Sequence, residues 1–394
     1  TSAMNPQRAE KVSAPTLIYA ISTTTVATLP VFLTGALGVE ISRALALAPS
    51  RLGVLIGAFF ASATISSITS GKVSESRGGT FIMRLGMSFA GLANLTIFLF
   101  GHSFIQMLIE LVFAGITNGA IQPAVNVFVA NAVPRSRQGF AFGIKQAAIP
   151  VSTLLSGLAV PFVALTLGWQ YAYLGTSVLA LALIIALPKS KDAKIIPKTD
   201  EVVGRRYSVG PLVVLAAAMA LGAGAANALG AFLVEDAVRV GWRPADAGFL
   251  VVLGSLAGMI SRVVNGHLAD KRSGRHFIVT AQMVLLGSLG YLMFALHISF
   301  LILPATVISY GLGWGWNGLF NYAVVKTHPH SAGRATGTTQ SGAYIGSVLG
   351  PILFGFVAQH YSFNLAWYLA ASSAVVSAAT MVLGRHLIIL RDAD

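Results

Sequence analysis

Three ionisable side chains look buried within the long apolar runs of this 394-residue sequence: Glu110, Lys145 and Arg262. A cation at the centre of a membrane helix costs about 3 kcal/mol on insertion scales, so it faces a wet cavity or a partner rather than lipid. Lys145 and Arg262 could therefore hold an anion, and Glu110 could carry a proton, because burial favours the neutral carboxyl. Other chemistries lack their parts: there is no Walker loop, no His-Glu-x-x-His and no paired carboxylates, which removes ATP hydrolysis, zinc catalysis and glycosidic cleavage. No enzymatic activity, cofactor or metal is expected.

Each of the three has a plainer reading. Lys145, in Phe142-Gly143-Ile144-Lys145-Gln146-Ala147-Ala148-Ile149-Pro150, either snorkels to the nearer interface or lines a cavity. Gln146 beside it and Pro150 beyond it suggest a polar, irregular face that needs a partner. Arg262 is four residues before Gly266, a rise of about 6 Å. It either snorkels too or grips a carboxylate with its planar fork. Glu110 is either a proton carrier or a structural acid near one face.

Amides and aromatics supply candidate cavity walls. Asn118, Gln122 and Asn126 recur every four residues, and so share one face of a helix. Trp314, Asn317 and Asn321 repeat the pattern, with Tyr322 adjacent, and Gln340 matches Gln146 in the internal repeat described below. Such stripes either hydrogen-bond between packed helices or line a pocket. Trp316, at a near-opposite angle, is expected to be structural.

The elements that position these residues follow from composition. The chain is 55% apolar and 10% charged, with mean hydropathy +0.75, well below the roughly 25% charge of soluble domains. Twelve apolar runs are long enough to cross a hydrocarbon core of about 30 Å: 15–37, 52–70, 80–100, 104–130, 139–165, 169–188, 210–233, 246–265, 276–297, 299–325, 334–359 and 364–385. The connections leave no room for a soluble domain. A net charge of +13 would suggest nucleic acid in a soluble chain. Here, of 26 Lys and Arg, 20 fall on one side, four (Arg43, Arg51, Arg239, Arg243) on the other and two within spans. The positive-inside rule then puts both termini in the cytoplasm, and no nucleic-acid partner is expected. Residues 1–14 form a polar cytoplasmic segment without the apolar core of a cleavable signal. The absence of cysteine excludes disulfides and thiolate metal sites.

The chain is duplicated. Gly266-His267-Leu268-Ala269-Asp270-Lys271-Arg272-Ser273-Gly274-Arg275, read as a charged turn, echoes Gly71-Lys72-Val73-Ser74-Glu75-Ser76-Arg77-Gly78-Gly79 at an offset of 195. Gly115 and Gly119 match Gly311 and Gly315, and Gly143 with Gln146 matches Gly337 with Gln340. Two six-span bundles follow, 15–188 and 209–394, joined by the charged linker 189–208. Parallel repeats with a midplane site between them are one plan of secondary transporters.

These motifs resemble the major facilitator superfamily, whose signature is a Gly-x-x-x-Asp-Arg-x-Gly-like loop after the second span, echoed after the eighth. The second copy is close. The first departs from it, with Ser76 between Glu75 and Arg77, and Thr80 after Gly79. The resemblance implies an all-α fold of twelve transmembrane helices in two pseudo-symmetric bundles. It also implies a gating role for Gly71, Glu75, Arg77, Gly266, Asp270 and Arg272, with the acid meeting a neighbouring helix N-terminus. The plainer reading of these charges is topology alone.

Arg262, one turn before the glycine of the eighth span, is similar to the carboxylate-binding Arg of monocarboxylate transporters and oxalate/formate antiporters. Those antiporters carry a Lys on the eleventh span where this chain has Thr339, and the cation stands instead at Lys145 on the fifth. The span-4 Arg of drug antiporters and many symporters is missing, and Leu111 follows Glu110.

The expected function is secondary active transport of a small organic anion, a mono- or dicarboxylate, by alternating access in a cell membrane, with proton symport or anion exchange as the coupling. The alternatives are proton-coupled efflux of drugs or of neutral or cationic metabolites, and a transporter-like sensor. The working partners would be the anionic substrate, a coupling proton or counter-anion, and the bilayer, with the chain acting as a monomer. A count supports Glu110 as proton carrier: it is the only acid read within the spans.

Overall fold

A computed structural model describes residues 13–133, 141, 144–188, 209–271, 274–328 and 332–393, with the side chains at 72, 75, 209, 270, 271, 332–334 and 391–393 outside that description. All regular structure among the described residues is helical. Ten helices are long and apolar enough to cross a membrane: Ala14–Ala36, Pro49–Gly71, Gly79–Phe100, Phe104–Ala132, Ile144–Ala164, Gly210–Arg239, Pro244–Ala269, His276–Ala295, Ala335–His360 and Phe363–Leu390. The shorter apolar helix Gln170–Ala186 supplies the sixth span. The tenth is a broken run from Ile302 to Thr327. The first to twelfth spans below are these, in chain order.

Local chemistry explains their ends and winding. Ser103 caps the fourth span, accepting from the Gln106 backbone N–H at 3.3 Å. The turns after the second and eighth spans contain Gly78 at φ +89° and Gly274 at φ +88°, the left-handed region that glycine enters at no steric cost. Large apolar side chains such as Ile68, Ile185 and Val263 are more than two-thirds exposed. That outward apolar face suits lipid contact, as does the backbone, whose polar groups are paired within helices.

By internal contacts the chain divides into two compact units that are not its sequence halves. The first comprises Thr1–Val31, Ala61–Ser152 and Gln170–Thr199, and the second Phe32–Phe60, Thr153–Trp169 and Asp200–Asp394. In the first unit, Ile82, Met83, Met87, Ile121, Val125 and Val129 of the third and fourth spans form a core with Val26 of the first. The first and fifth spans meet through hydroxyls: Thr28 Oγ1 lies 2.7 Å from Ser152 Oγ, and Ser152 Oγ donates to the Thr25 carbonyl at 3.0 Å.

The second unit contains pieces of both halves of the sequence, and its helices meet through glycine. A methyl at Gly342, Gly346 or Gly350 would strike the carbonyl oxygens of Ala216, Ala220 and Gly224 on the seventh span. Gly35 sits as closely on Gly230, Gly53 on Pro351, and Gly157 on Gly248. Without side chains between them the backbones approach to van der Waals contact, the usual source of helix association in lipid.

The charged repeat is a correction in detail. Gly71 to Arg77 lie within the helix Pro49–Arg77, and Gly266 to Lys271 within Pro244–Lys271. They are final helical turns rather than connecting turns; the backbone turns left-handed at Gly78 and at Gly274, with 272–273 outside the described residues. The seventh span is corrected as well. The helix continues through Arg239, carrying Glu235 and Asp236 buried inside it. Hydropathy falls at these two acids, so the apolar run ends at 233, but hydrogen bonding and packing carry the helix past them.

Candidate functional site

The first unit builds one half-site on the fourth and fifth spans. Lys145 is 6% exposed and its Nζ donates to Gln122 Oε1 at 2.7 Å. Gln122 Nε2 in turn donates to Asn118 Oδ1 at 3.2 Å. The i, i+4 spacing of Asn118 and Gln122 is what allows this ladder. Its direction is set by the ammonium, which can only donate, so the amide oxygen of Gln122 must face it. Lys145 is therefore turned onto the fourth span instead of stretching to an exposed surface.

The stripe stops there. Asn126 is exposed, and Pro123, which has no N–H to give the backbone ladder, stands between it and Gln122. Gln146 is also exposed. The structure brings Lys145, Gln122 and Asn118 together and leaves Asn126 and Gln146 outside that group.

The second unit builds another half-site on the eighth and tenth spans. Arg262 is half-buried, and its Nη2 donates to the Trp314 carbonyl at 3.3 Å. That carbonyl is available because the tenth span winds as a π-helix over Ser309–Trp314 before resuming as Asn317–Thr327. The i→i+5 winding is a common mark of functional positions in helices. It also breaks the helical phase between Trp314 and Asn317, so the expected single stripe through Trp314, Asn317 and Asn321 is not continuous.

Trp314 is buried against Tyr310 and Phe32, with ring centroids 5.4 and 5.9 Å away. Asn317 is half-buried with Oδ1 lacking a partner, and the buried Tyr310 hydroxyl likewise lacks one. Asn321 and Tyr322 are half-buried further along, and Tyr322 stands edge-on to His276 with Lys326 Nζ 5.5 Å from its ring. Gln340 on the eleventh span is half-buried. Trp316 is fully buried and donates Nε1–H to the Gly313 carbonyl at 2.8 Å, a structural role as expected.

Among the described residues neither Lys145 nor Arg262 has a carboxylate partner: the ion pairs are Arg239–Glu235, Arg243–Asp246 and His297–Asp236. Glu110 is buried on the fourth span with Oε2 unpartnered. The count that singled it out is corrected, because Glu235 and Asp236 are also buried within a span. Glu40, on the short helix Gly38–Leu45 after the first span, is buried with both carboxylate oxygens unpartnered. Burial holds its carboxyl above the usual range, opposed by its own backbone N–H and by Arg43.

Of the gating residues, Gly71 and Gly266 stand in open space, with no atom within 4 Å of where a Cβ would lie, so neither glycine is required there for room. Arg77 is exposed at its helix end. The side chains of Glu75 and Asp270, and the whole of Arg272, lie outside the described residues.

Comparison with known proteins decides the family. The model of the Major Facilitator Superfamily matches residues 16–341, and again 212–391. This chain belongs to that superfamily. It is similar to an uncharacterized MFS-type transporter of Methanocaldococcus jannaschii, 23% identical over 328 residues, covering 78% of this chain and 82% of the relative. It is equally similar to the quinolone resistance protein NorA of Staphylococcus aureus, 23% identical over 324 residues, covering 79% and 81%.

Solved transporter structures share its fold. A bacterial homologue of the human lysosomal transporter Spinster, in an inward-facing and occupied conformation, superposes with TM-score 0.72 at 15% identity, covering 96% of each chain. A mutant of the nucleoside transporter NupG gives TM-score 0.73 at 11% identity over 94% of this chain and 100% of that one. The protein is thus an integral membrane secondary transporter of the superfamily, with the all-helical fold that the sequence implies, and not an enzyme.

Proposed function

We propose that this superfamily member carries a small organic anion, a mono- or dicarboxylate, with Lys145 and Arg262 as the counter-charges. One observation carries the reading: both cations sit in spans, and among the described residues each is met only by neutral oxygens, Gln122 Oε1 and the Trp314 carbonyl. A cation removed from water needs opposite charge or good hydrogen bonding to offset desolvation, and a bound anion supplies both. Arg262 offers a carboxylate a planar fork, Lys145 offers an anion a point charge, and Asn118 and Gln122 fix the ammonium's position. The unmet groups on Tyr310 and Asn317 are available for the remainder of the substrate.

Transport follows by rocking of 1–188 against 209–394, with both termini cytoplasmic and the Gly71 and Gly266 motifs acting at the inner ends of the bundles. The carried anion moves with a proton or in exchange for a second anion. Efflux of drugs with proton coupling is the second reading, favoured by the buried acids Glu110, Glu235 and Asp236 and by the likeness to a quinolone resistance protein.

A thermal-stability screen of purified protein separates the two. A ligand at 100 times its Kd stabilises the native state by about 2.7 kcal/mol. Lactate, formate or oxalate should raise the melting temperature of wild type well above any rise in Arg262→Ala. Stabilisation by a quinolone or a lipophilic cation, with none by any carboxylate, would replace the anion reading with the efflux one.

A further inference from the structure

The last turns of the seventh span hold a charge arrangement that the anion reading does not use. Glu235 and Asp236 are consecutive, and Asp236 is completely buried. Glu235 Oε1 accepts from Arg239 Nη2 at 2.8 Å, and the Arg239 guanidinium lies 4.2 Å above the Phe363 ring. Arg239 is thereby committed to Glu235. Among the described residues Asp236 has no Lys or Arg partner. His297 Nε2, just beyond the ninth span, is 3.1 Å from Asp236 Oδ1 but off the line of a well-formed hydrogen bond, and both carboxylate oxygens lack an ordinary donor.

The surroundings make that carboxylate costly. One turn earlier, Phe232 stacks on Phe354 at 4.8 Å, and Phe354, Phe294 and Trp367 continue the aromatic cluster with centroids 4.6 to 4.8 Å apart. The Trp367 indole stands near the same carboxyl without closing a normal hydrogen bond. An isolated charge in such a place is offset by a partner charge or removed by a proton. With Glu235 balanced by Arg239, the remaining pair is neutral overall only when Asp236 and His297 together hold one proton more than carboxylate and neutral imidazole.

Other charged groups at this end are engaged elsewhere or carried on other segments. Glu40 and Arg43 belong to the helix Gly38–Leu45, which packs against the seventh span. Arg243 and Asp246, at the start of the eighth, pair with each other at 2.7 Å. His360, at the end of the eleventh, bonds the Phe356 carbonyl at 2.9 Å. His297, whose side chain is 26% exposed, is the member of the pair that reaches the surface.

We propose that Asp236 and His297 form a proton-binding site at the end of the seventh span, loaded and emptied through the exposed edge of His297. The two side chains hold that proton between them. This site lies apart in sequence and in structural role from the Lys145 and Arg262 half-sites, and it stands whether the substrate is an anion or not. It gives the transporter a place to hold a proton that does not depend on Glu110.

The test needs no substrate. Full-length protein in lipid nanodiscs would be titrated with pH while the infrared carbonyl band of protonated carboxyls is followed, in wild type, Asp236→Asn, His297→Gln and Glu110→Gln. The expected result is a titrating band component that is missing in Asp236→Asn and intact in Glu110→Gln. In His297→Gln it should persist to higher pH than in wild type, because the imidazolium that favours the carboxylate has gone. A spectrum unchanged by Asp236→Asn overturns the proposal. If that variant does not fold, the His297→Gln titration decides alone, and a midpoint identical to wild type overturns it.

Discussion

The two cations stand in unlike settings within a duplicated scaffold. Lys145, in the first unit, is buried and held by a side-chain ladder from Gln122 to Asn118, so its position is fixed by neighbours that can be mutated one at a time. Arg262, in the second, is half-buried and held by one backbone carbonyl freed by the π-helical turn of the tenth span. Their repeat mates carry no charge. Thr339 is buried and bonds the Ala335 carbonyl at 3.2 Å, and Ser67 bonds the Thr64 carbonyl at 2.8 Å, each within its own helix. What the halves do share is an acid at a matching place: Glu40 and Glu235 are 195 residues apart, the offset of the charged motifs.

The largest expected effect breaks the Arg262 side of the comparison. Removing one member of a buried charge pair costs about 2–5 kcal/mol, so Arg262→Ala should weaken carboxylate binding by at least about 30-fold. Arg262→Lys should be nearly as damaging, because an ammonium cannot reproduce the planar fork. Binding by the Lys variant within about threefold of wild type, measured by calorimetry, would show that Arg262 acts only as a charge.

A smaller effect sharpens the Lys145 side. Gln122→Leu removes the acceptor that holds the ammonium, and leaving a buried donor unsatisfied costs about 1–3 kcal/mol. The melting temperature should fall, and added carboxylate should recover more of it than in wild type because the anion then replaces the lost partner. A ligand-induced shift smaller than that of wild type would place Lys145 outside the substrate's reach.

The smallest effect concerns the feature the halves share. Burial raises the Glu40 carboxyl, so the native state holds its proton more tightly than the unfolded chain does. Stability from this group is complete below the ordinary carboxylate range and is lost as pH rises through the raised value. Glu40→Gln should therefore flatten the fall in melting temperature above that range, and an unchanged pH slope would mean that Glu40 keeps its charge paired.

Much of this is legible in the residues, for reasons that also explain the misses. The apolar runs give every span, because crossing a bilayer demands length and hydropathy that composition records directly. Helical phase alone places Asn118 and Gln122 together, and that phase holds only until Pro123. The π-helical turn at Ser309–Trp314 is invisible in sequence, since no local residue pattern marks it; Gly313 within it packs closely against Gly287 of the ninth span. Glu235 and Asp236 escape a hydropathy reading because their charge ends the apolar run while tertiary packing keeps the helix going. The charged motifs read as turns because charge and glycine mark loops in soluble chains, whereas here they close helices at Gly78 and Gly274.

The central claim is the proposal that anion binding depends on both Lys145 and Arg262, and calorimetric titration of purified wild type and of the Lys145→Gln/Arg262→Gln double variant with oxalate and lactate tests it most directly. The account predicts saturable binding of at least one of these by wild type and none by the folded double variant, with each single variant weakened by about tenfold or more, the equivalent of about 1.4 kcal/mol. Equal carboxylate affinity in wild type and the double variant would contradict it.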